Sequence, residues 1–539
     1  MTLTPICSVF AALLLTAAQA GAVDLAPVAV EASPSKLAAG WAHGAFMQVF
    51  VRGYQDSDGD GIGDLRGLIS RLDYLKDLGI KGIWLMPITA SADRDHGYAT
   101  TDFRALEPQY GTLADFDELM KQAHARGIGV IIDYVINHSA LAHPLFQQAL
   151  ADPASAYRDW FVWQDPAVTD LSGWEIWGKN PWTSTPTGSY FATFGPHMPD
   201  FNMRNPAVIE YHESSMRFWL NRGLDGFRLD AVPHLIENDA KAWNDQPESR
   251  RLTKRFQDLT KRYPRRYTVC EATASPTAYA DPAVCGSAFA FGLQYAIVKA
   301  ARGDTAAIQE VADYFKTAPL TMATMLSNHD IFAGERVWDQ FKGDTAAYKL
   351  AAATYLLLPG TPYIYYGEEI GMAGVASVAS VSGVSGQESL TGDQPLRAPM
   401  SWTADISGFT AGQPYRPLAP NAVSQNVALQ QRDPASILNF YKAMLKLRNS
   451  NAALSLGSYE AAAVDGKVLS FQRRLGRERS LVVINFGISR ASTRITVLPA
   501  RTVLKAAYAT PSKPIRSDAR GVAVLQLAPR SVSVFKLQL

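Results

Sequence analysis

Residues 223–234, G-L-D-G-F-R-L-D-A-V-P-H, form a short apolar run that is entered through glycines and ends in charged side chains. This pattern predicts a buried β-strand. Because side chains two residues apart in a strand lie on the same face, Arg228 and Asp230 would leave the strand's end together. Burying a carboxylate alone is costly, and a neighbouring guanidinium keeps it ionised. Asp230 is therefore either half of a packing ion pair or a candidate nucleophile.

On both sides of this strand, short β-rich runs alternate with helical stretches, which is typical of βα units around a parallel sheet. Eight strands can be counted, and eight favour an α/β fold of the (β/α)8 TIM-barrel type over an open sheet. The predicted strands are 46–54, 80–88, 129–138, 224–231, 267–272, 288–294, 321–329 and 362–367, and the predicted helices include 65–78, 113–126, 206–222 and 434–448.

Two stretches break this alternation. Residues 139–203 are rich in Pro, Gly, Ser and Trp and predict a subdomain inserted after the third strand. Residues 453–539 change to short alternating runs, which predict a C-terminal antiparallel β-sandwich. The barrel would then comprise residues 40–138 and 204–452, with a low-complexity loop at 373–387.

The N-terminus carries an apolar run, residues 6–20, that ends in a small-residue A-x-A pattern. It predicts a secretory signal peptide over residues 1–20 and export to the periplasm or the exterior. Cys7 would leave with this segment, so that Cys270 and Cys285 remain. Two cysteines in an exported protein favour a disulfide over free thiols.

The balance of charged residues indicates which kinds of partner the protein is expected to bind. Lys and Arg number 51 against 50 Asp and Glu, which gives a net charge of +1 and indicates neither a nucleic-acid nor a membrane-surface partner. No later segment is apolar over the length of a membrane span. The sequence does not fix the oligomeric state.

Three carboxylates, Asp230, Glu271 and Asp330, stand where predicted strands end. In a barrel of this kind the strands' carboxyl ends surround the active site, so these groups would face one pocket. Like charges so close raise at least one pKa, which creates a protonated acid beside an ionised base or nucleophile. Retaining glycoside hydrolysis needs this division between two carboxyl groups about 5 Å apart.

Six short motifs follow one another along the chain. They are H-G-Y at 96–98, D-Y-V-I-N-H at 133–138, M-P-D-F-N at 198–202, G-F-R-L-D-A-V at 226–232, E-A at 271–272 and S-N-H-D at 327–330. Through them the chain resembles the α-amylase superfamily, glycoside hydrolase family 13, over nearly all of the mature sequence.

The resemblance implies roles for individual residues. Asp230 would be the nucleophile, Glu271 the general acid/base and Asp330 the transition-state stabiliser. The residues that would orient the nucleophile or bind the sugar are Arg228, His96, Tyr98, His138, His234 and His329. Negative charge near an oxocarbenium-like transition state and hydrogen bonds to ring hydroxyls are what this chemistry requires.

A second motif, D-S-D-G-D-G-I-G-D at 56–64, places oxygen donors at alternate positions in a glycine-rich loop. It predicts a structural Ca²⁺ site, with Mg²⁺ as the alternative ion, although Gly67 replaces the glutamate that ends an EF-hand loop. The predicted ligands are Asp56, Asp58, Asp60, Asp64 and the carbonyl of Ile62. A solvated acidic turn without metal is the other interpretation. By family resemblance, a second calcium would use Asn137, Asp200 and the carbonyl of His234.

Four positions that the resemblance singles out bear on the choice of substrate. Ala231 after the nucleophile favours α-1,4 over α-1,6 linkages. Asp95 and Arg397 match an ion pair that closes the non-reducing end in exo-acting glucosidases, and such a pair would hold a terminal glucose by bidentate hydrogen bonds. Both could instead be surface charges. His234, in contrast, keeps the pattern of the amylases.

The leading hypothesis is an exported, exo-acting α-glucosidase that cleaves α-1,4 bonds of maltooligosaccharides or starch-derived glucans with retention. The alternatives are an endo-acting α-amylase, a glucosyl transferase or isomerase such as a trehalose synthase, and a non-catalytic carbohydrate-binding homologue. The last predicts the loss of a catalytic carboxylate, and all three are present.

Overall fold

The computed structural model describes residues 23–93, 95–376, 391–508 and 515–538. The predicted signal peptide, residues 1–20, and all but the first residues of the predicted loop 373–387 lie outside the described residues. Among the helices that are described, none has the length and apolarity needed to cross a membrane.

The first part of the chain builds half of a barrel. Its strands are β1 (Phe46–Val49), β2 (Gly82–Leu85), the antiparallel hairpin β3 (Thr89–Ser91) and β4 (Thr100–Leu106), and β5 (Gly129–Tyr134). Its helices are α1 (Val51–Tyr54), α2 (Leu65–Ser70), α3 (Leu72–Leu78), α4 (Leu113–Ala125) and α5 (Pro144–Ala151). Helix α4 begins with a capping box in which Thr112 and Asp115 satisfy each other's backbone N–H groups.

A small antiparallel sheet of β6 (Trp163–Gln164), β7 (Trp182–Thr185) and β8 (Gly188–Phe191) then interrupts the barrel. The barrel resumes with strands β9 (Gly226–Leu229), β10 (Tyr267–Cys270), β11 (Ala323–Thr324) and β12 (Thr361–Tyr365). The accompanying helices are α6 (Pro206–Asn221), α7 (Pro247–Lys261), α8 (Pro276–Tyr279), α9 (Leu293–Ala301), α10 (Thr305–Thr317), α11 (Val337–Gln340), α12 (Thr345–Leu357), α13 (Val427–Gln430), α14 (Ile437–Asn449) and α15 (Ala452–Leu456).

Seven strands form one parallel sheet in the order β10, β9, β5, β2, β1, β12, β11. The gap between its two edges is filled by a short extended segment: Ala288 pairs with Cys270 of β10, and Phe289 pairs with Ala323 of β11. This segment takes the place of the eighth strand and closes the sheet into a barrel. The predicted (β/α)8 barrel is therefore confirmed.

Several predicted boundaries need correction. The strand predicted at 46–54 ends at Val49 and turns into α1, and the one predicted at 321–329 is regular only over Ala323–Thr324. In the run predicted as strand 288–294, α9 already begins at Leu293. The helix predicted at 65–78 is divided at Arg71, whose φ of −105° and ψ of 2° leave the helical region. Short apolar runs look alike in strands and buried helix starts, so their periodicity could not separate the two.

The C-terminal domain contains β13 (Ser458–Asp465), β14 (Val468–Leu475), β15 (Glu478–Asn485), β16 (Ala491–Ile495), β17 (Val503–Tyr508), β18 (Ile515–Arg516), β19 (Ala523–Leu527) and β20 (Ser531–Gln538). Six of them form an antiparallel sheet, β13-β14-β15-β20-β17-β18, and β16 pairs with β19. Leu481 and Phe535 of the larger sheet share a core with Ile495 and Leu525 of the smaller one. The predicted C-terminal antiparallel β domain is thus present.

Candidate active site

One buried arginine organises the site. Arg228 lies in β9 and is 1% exposed. Its Nη1 donates to Asp133 Oδ1 at 2.7 Å and also to Asp230, while its Nη2 lies 2.9 Å from Glu271 Oε2. The parallel register sets Asp133 of β5 directly beside Arg228, and Glu271 follows β10 immediately. A single guanidinium therefore collects three carboxylates from three neighbouring strands.

These groups face a cavity of about 520 Å³ at the carboxyl ends of the barrel strands, where barrel active sites lie. It brings together eight of the residues predicted from the sequence: Tyr98, His138, Arg228, Asp230, His234, Glu271, His329 and Asp330. Asp393 and the apolar side chains of Trp177, Phe194, Met198, Ile331 and Phe332 complete much of its lining.

A hydrogen-bond chain fixes the floor of the cavity. Gln48 Nε2 donates to His329 Nδ1 at 2.8 Å, which leaves the ring proton on Nε2. That Nε2 lies 2.7 Å from the Tyr98 hydroxyl, which donates in turn to Asp133 Oδ2 at 2.8 Å. Burial and nearby cations lower the pKa of His329 well below its usual value, so the ring is neutral. Neutral His329 can therefore donate from Nε2.

His96 supports this floor from behind. Its ring stacks on Tyr98 with centroids 5.6 Å apart, and its Nδ1 accepts the Tyr98 backbone N–H at 3.0 Å. Asp93 lies 3.5 Å from the same nitrogen. His96 therefore positions Tyr98 and does not itself line the cavity.

An ion-pair cluster lies behind two residues of the cavity lining, His329 and Asp393. Arg397 Nη1 donates to Asp95 Oδ2 at 3.1 Å, and Arg416 lies 3.0 Å from Asp95 Oδ1. Arg397 also approaches Asp393 at 3.4 Å and the carbonyl of His329. Burial opposes ionisation of Asp95, but the two arginines outweigh it and lower its pKa. The predicted pair is therefore formed and buried, with Arg416 as an unforeseen third member.

Two histidines of the cavity lining, His138 and His234, lie beside aromatic rings. His234 stacks on Trp243 with centroids 5.4 Å apart, and Trp177 packs edge-on against His234. Burial lowers the pKa of His234 to about 4 and that of His138 to about 3, so both are neutral. Both ring nitrogens of His138 are buried and have no hydrogen-bond partner among the described residues. They are free for ligand hydroxyls.

The acidic side chains of the site have raised pKa values. Burial raises the pKa of Asp230 well above its usual value, opposed by Arg228 and reinforced by Glu271. Burial likewise raises the pKa of Asp330, with Glu271 and Asp393 adding to the rise. The pKa of Asp133 is raised to about 6, again chiefly by burial. Because these carboxyl groups lie close together, their titrations are coupled and their pKa values are raised as a group.

Local backbone geometry aims two of the carboxylates. Ala231 has a φ of 49°, a left-handed conformation that is costly for a residue with a Cβ, and its N–H donates to Glu271 Oε2 at 3.0 Å. Cys270, the residue before Glu271, forms a disulfide with Cys285. The predicted disulfide is confirmed, and it ties down the strand end that carries Glu271.

Comparison with known proteins shows the family to which this fold belongs. The family model described as the alpha amylase catalytic domain matches residues 48–457. The chain belongs to the alpha-amylase family.

Relatives of this alpha-amylase family enzyme carry different activities in their names. It is 36% identical to Alpha-amylase 3 of Dictyoglomus thermophilum over 82% of its own length and 84% of the relative's. It is 34% identical to the trehalose synthase/amylase TreS of Mycolicibacterium smegmatis over 81% of each chain. The crystal structure of an alpha-amylase from H. orenii matches with a TM-score of 0.78 and 31% identity, covering 92% of this chain and 100% of that one. The relatives do not decide between hydrolysis and glucosyl transfer.

The acidic loop of this family member lies outside the cavity. Asp56, Asp58 and Asp64 each offer an oxygen within 4.8 Å of the others, a donor set that fits a hard cation. Asp60 is not part of this set, and its Oδ1 accepts the Ile62 N–H at 2.8 Å. The structure thus gathers three of the four predicted aspartates.

The side chains predicted to bind a second cation differ in how far they are already hydrogen-bonded within the protein. Asp200 is buried, and both its oxygens accept hydrogen bonds from Thr193, at 3.0 Å from the N–H and 2.6 Å from the hydroxyl. Burial raises its pKa to about 7. The side-chain nitrogen of Asn137 has no hydrogen-bond partner among the described residues. Asp200 is therefore engaged with protein donors.

Sequence reasoning missed several members of the site: Gln48, Trp84, Asp133, Asp393 and Arg416. A signal existed for Asp133, which stands inside the buried run G-V-I-I-D-Y just as Arg228 stands inside G-F-R-L. Opposite charges at matching depth in two apolar strands predict an ion pair once those strands are neighbours. Trp84, whose indole N–H donates to Asp133 Oδ2 at 3.2 Å, carried no such signal.

Proposed function

We propose that this protein is an exo-acting α-glucosidase that releases glucose, with retention, from the non-reducing end of α-1,4-linked maltooligosaccharides. The observation that carries the proposal is the largely buried cluster of Arg397, Asp95 and Arg416, in which Arg397 contacts Asp393 and the His329 carbonyl of the cavity lining. This cluster would form a charged end wall that leaves no path for a longer chain beyond a glucose resting on Tyr98. The charged groups of this wall would form hydrogen bonds to the hydroxyls of a terminal sugar.

The reaction would follow double displacement. Asp230 attacks the anomeric carbon and forms a glucosyl ester, while Glu271 gives its proton to the departing glycosidic oxygen. Water then attacks the ester and gives its proton to Glu271, and Asp230 leaves as a carboxylate. Arg228 keeps Asp230 and Glu271 side by side on one guanidinium, which suits the short carboxyl separation of retaining enzymes.

Contacts in the site support these roles. Burial raises the pKa of Asp230, whereas Arg228, which donates to it, opposes that rise and so favours the ionised nucleophile. Neutral His138, whose ring nitrogens have no hydrogen-bond partner among the described residues, would bind sugar hydroxyls. Neutral His329 would act by holding Tyr98 in place, because its two ring nitrogens already bind Gln48 and Tyr98. Asp330 would stabilise positive charge on the sugar ring in the transition state.

Two further assignments belong to the proposal. The carboxylates of Asp56, Asp58 and Asp64 would bind a structural Ca²⁺, with Mg²⁺ as the alternative, and the ion would stabilise the loop after β1 without entering the reaction. The protein would be exported, and the Cys270–Cys285 disulfide supports this because disulfides persist in oxidising compartments. The α-1,4 preference rests on Ala231 alone.

Product analysis tests the proposal. The enzyme is incubated with maltotriose, maltose and soluble starch, and early products are separated by chromatography. Glucose as the first product from all three is the expected result. A ladder of oligosaccharides from starch would identify an endo-acting amylase, trehalose formed from maltose would identify an isomerase, and no product at all would identify a non-catalytic homologue.

A further inference from the structure

Arg336 is a buried arginine that the proposed reaction does not use. It lies in the loop between Asp330 and α11, and only 1% of its surface is exposed. Its guanidinium packs over the rings of Tyr365 and Tyr366, at 4.4 and 4.7 Å from their centroids. Its Nε is buried and has no hydrogen-bond partner among the described residues. Burying a charge in this way costs free energy that an apolar side chain of similar volume would not cost, so filling the core does not explain an arginine here.

The two terminal nitrogens of Arg336 bind two separate segments of the chain. Nη1 donates to the carbonyl of Tyr366, directly after β12, and Nη2 donates to the carbonyl of Leu396. The hydroxyl of Tyr365 donates to the same Leu396 carbonyl at 3.1 Å. The guanidinium fork therefore ties its own loop to the residue that precedes Arg397.

The two residues that follow Leu396 are held in a similar way. The hydroxyl of Tyr415 donates to the carbonyl of Arg397 at 2.5 Å, and the hydroxyl of Tyr366 donates to the carbonyl of Ala398 at 2.6 Å. Three successive carbonyl groups are thus bound by side chains. Because the main chain is fixed on both sides of Arg397, this long side chain loses less conformational freedom when its guanidinium binds a partner.

The guanidinium of Arg397 binds groups on two other loops. Its Nη1 donates to Asp95 Oδ2 at 3.1 Å, and its Nη2 lies 3.4 Å from Asp393 Oδ2. Asp393 in turn accepts the N–H of Ile331, the residue after Asp330, at 2.7 Å. This hydrogen bond and the guanidinium fork described above therefore join the same two loops, one carrying Asp330 and the other carrying Arg397. A displacement of either loop would move the other.

We propose that Arg336 is a positioning residue for substrate choice: it holds the main chain at Leu396 and thereby sets Arg397 where it pairs with Asp95. This inference rests on the proposed exo action, in which that pair stops the chain beyond its terminal glucose. Arg336 does not line the cavity, so its effect passes through Arg397. Loss of the fork weakens the binding of a terminal glucose and so raises KM more than it lowers kcat.

A double-mutant cycle tests this dependence. The value of kcat/KM for maltose is measured in wild type, Arg336→Met, Asp95→Asn and the double variant. Arg336→Met should lower kcat/KM about tenfold, chiefly through KM. Arg336→Lys, which keeps the charge but not the fork, should lose less. In the Asp95→Asn background, where the pair is already lost, Arg336→Met should cost less than about twofold.

Arg448→Met is the matched control. Arg448 is as deeply buried as Arg336, and its guanidinium likewise donates to backbone carbonyls, those of Leu356, Leu358 and Gly360. These carbonyls precede β12, at the opposite end of that strand from Tyr366. Arg448→Met should therefore lower the melting temperature as Arg336→Met does, while kcat/KM for maltose changes by less than about twofold.

Additive losses in Arg336→Met and Asp95→Asn, or a fall in kcat with KM unchanged, would show that Arg336 only supports the fold and would overturn the inference. If circular dichroism shows that Arg336→Met does not fold, the same cycle with Arg336→Lys decides by the same outcomes. If wild type releases no single glucose units, the proposed function fails instead. Calorimetric titration with maltose in the Asp230→Asn background then measures the coupling without turnover. Coupled changes in Kd support the positioning role, and independent changes overturn it.

Discussion

Arg397 Nη1 lies 3.1 Å from Asp95 Oδ2, although 302 residues separate the two in the chain. Both side chains are largely removed from solvent, and Arg416 binds the second oxygen of Asp95. The barrel therefore brings two distant loops together behind His329 and Asp393, which line the cavity. In the proposed exo action these charged groups would form a wall that stops the chain beyond its terminal glucose.

Neutralising the wall should damage exo action. Asp95→Asn leaves Arg397 and Arg416 without their shared carboxylate, and breaking a buried pair in this way costs about 3–5 kcal/mol. We expect kcat/KM for maltose to fall at least about 100-fold, and products longer than glucose to appear early from maltoheptaose. Arg397→Lys, which keeps the charge but loses the forked geometry, should show a smaller loss. Wild-type kinetics with glucose-only products in Asp95→Asn would contradict the end-wall role.

The roles of the two central carboxylates can be separated by leaving group. Asp230→Asn should lower kcat by about 10⁴-fold or more for every substrate, because no covalent intermediate can form. Glu271→Gln should lower kcat/KM for maltose by about 10²–10⁴-fold but affect 4-nitrophenyl α-glucoside much less, because nitrophenolate departs without a proton. Circular dichroism confirms folding of both variants. Equal losses on the two substrates in Glu271→Gln would argue against its role as the acid.

Buried acids away from the active site make stability depend on pH. Burial raises the pKa of Glu369 to about 7, and the Tyr74 hydroxyl donates to its Oε1 at 2.8 Å. Since the folded state holds this proton more tightly than the unfolded state, the stability that Glu369 contributes is fully present below about pH 4.5 and is lost as pH rises through about 7. One such group changes the free energy of unfolding by about 1.4 kcal/mol per pH unit in that window.

Melting temperatures between pH 5 and pH 8 test this dependence. Glu369→Gln should show a shallower decline with rising pH than wild type, because the group that titrates is gone. Glu175→Gln, a change at an exposed carboxylate, should follow the wild-type curve. Parallel curves for wild type and Glu369→Gln would refute the assignment.

The acidic loop predicts a response to chelation. If a cation joins Asp56, Asp58 and Asp64, its removal should lower the melting temperature by several degrees, since a ligand at 100 times its Kd contributes about 2.7 kcal/mol. Asp58→Asn should lower the melting temperature and abolish the response to chelator. Asp60→Asn is the matched control, because Asp60 lies outside the set, and it should respond like wild type. A chelator response that survives in Asp58→Asn would place the ion elsewhere.

Most of the fold could be predicted from the sequence, because strands and helices have different hydrophobic periodicities and their order along the chain determines their place in a barrel. The cavity could be predicted because the carboxyl ends of the strands converge at one face of the barrel. The sequence predicted the closing strand at 288–294 but not its extent, because only Ala288 and Phe289 form bridges and α9 already begins at Leu293. Such short contacts are decided by neighbouring strands and not by the local pattern.

Side-chain partners across the cavity were predicted unevenly. Arg397 and Asp95 could be matched through family resemblance, whereas Arg416 could not, because no pattern in its own loop indicates that it reaches Asp95. Asp60 was included among the predicted cation ligands for a similar reason. The alternate spacing of the aspartates indicates which residues carry oxygen donors, but in the structure Asp60 Oδ1 accepts the Ile62 N–H. Which donor points inward depends on the loop's three-dimensional path.

The central claim, a retaining enzyme that removes single glucose units, is tested most directly by proton NMR during the first minutes of maltotriose cleavage. The account predicts that α-glucose and maltose appear together, before mutarotation produces β-glucose, and that no trehalose forms. Initial release of β-glucose, or conversion of the substrate without free glucose, would contradict it.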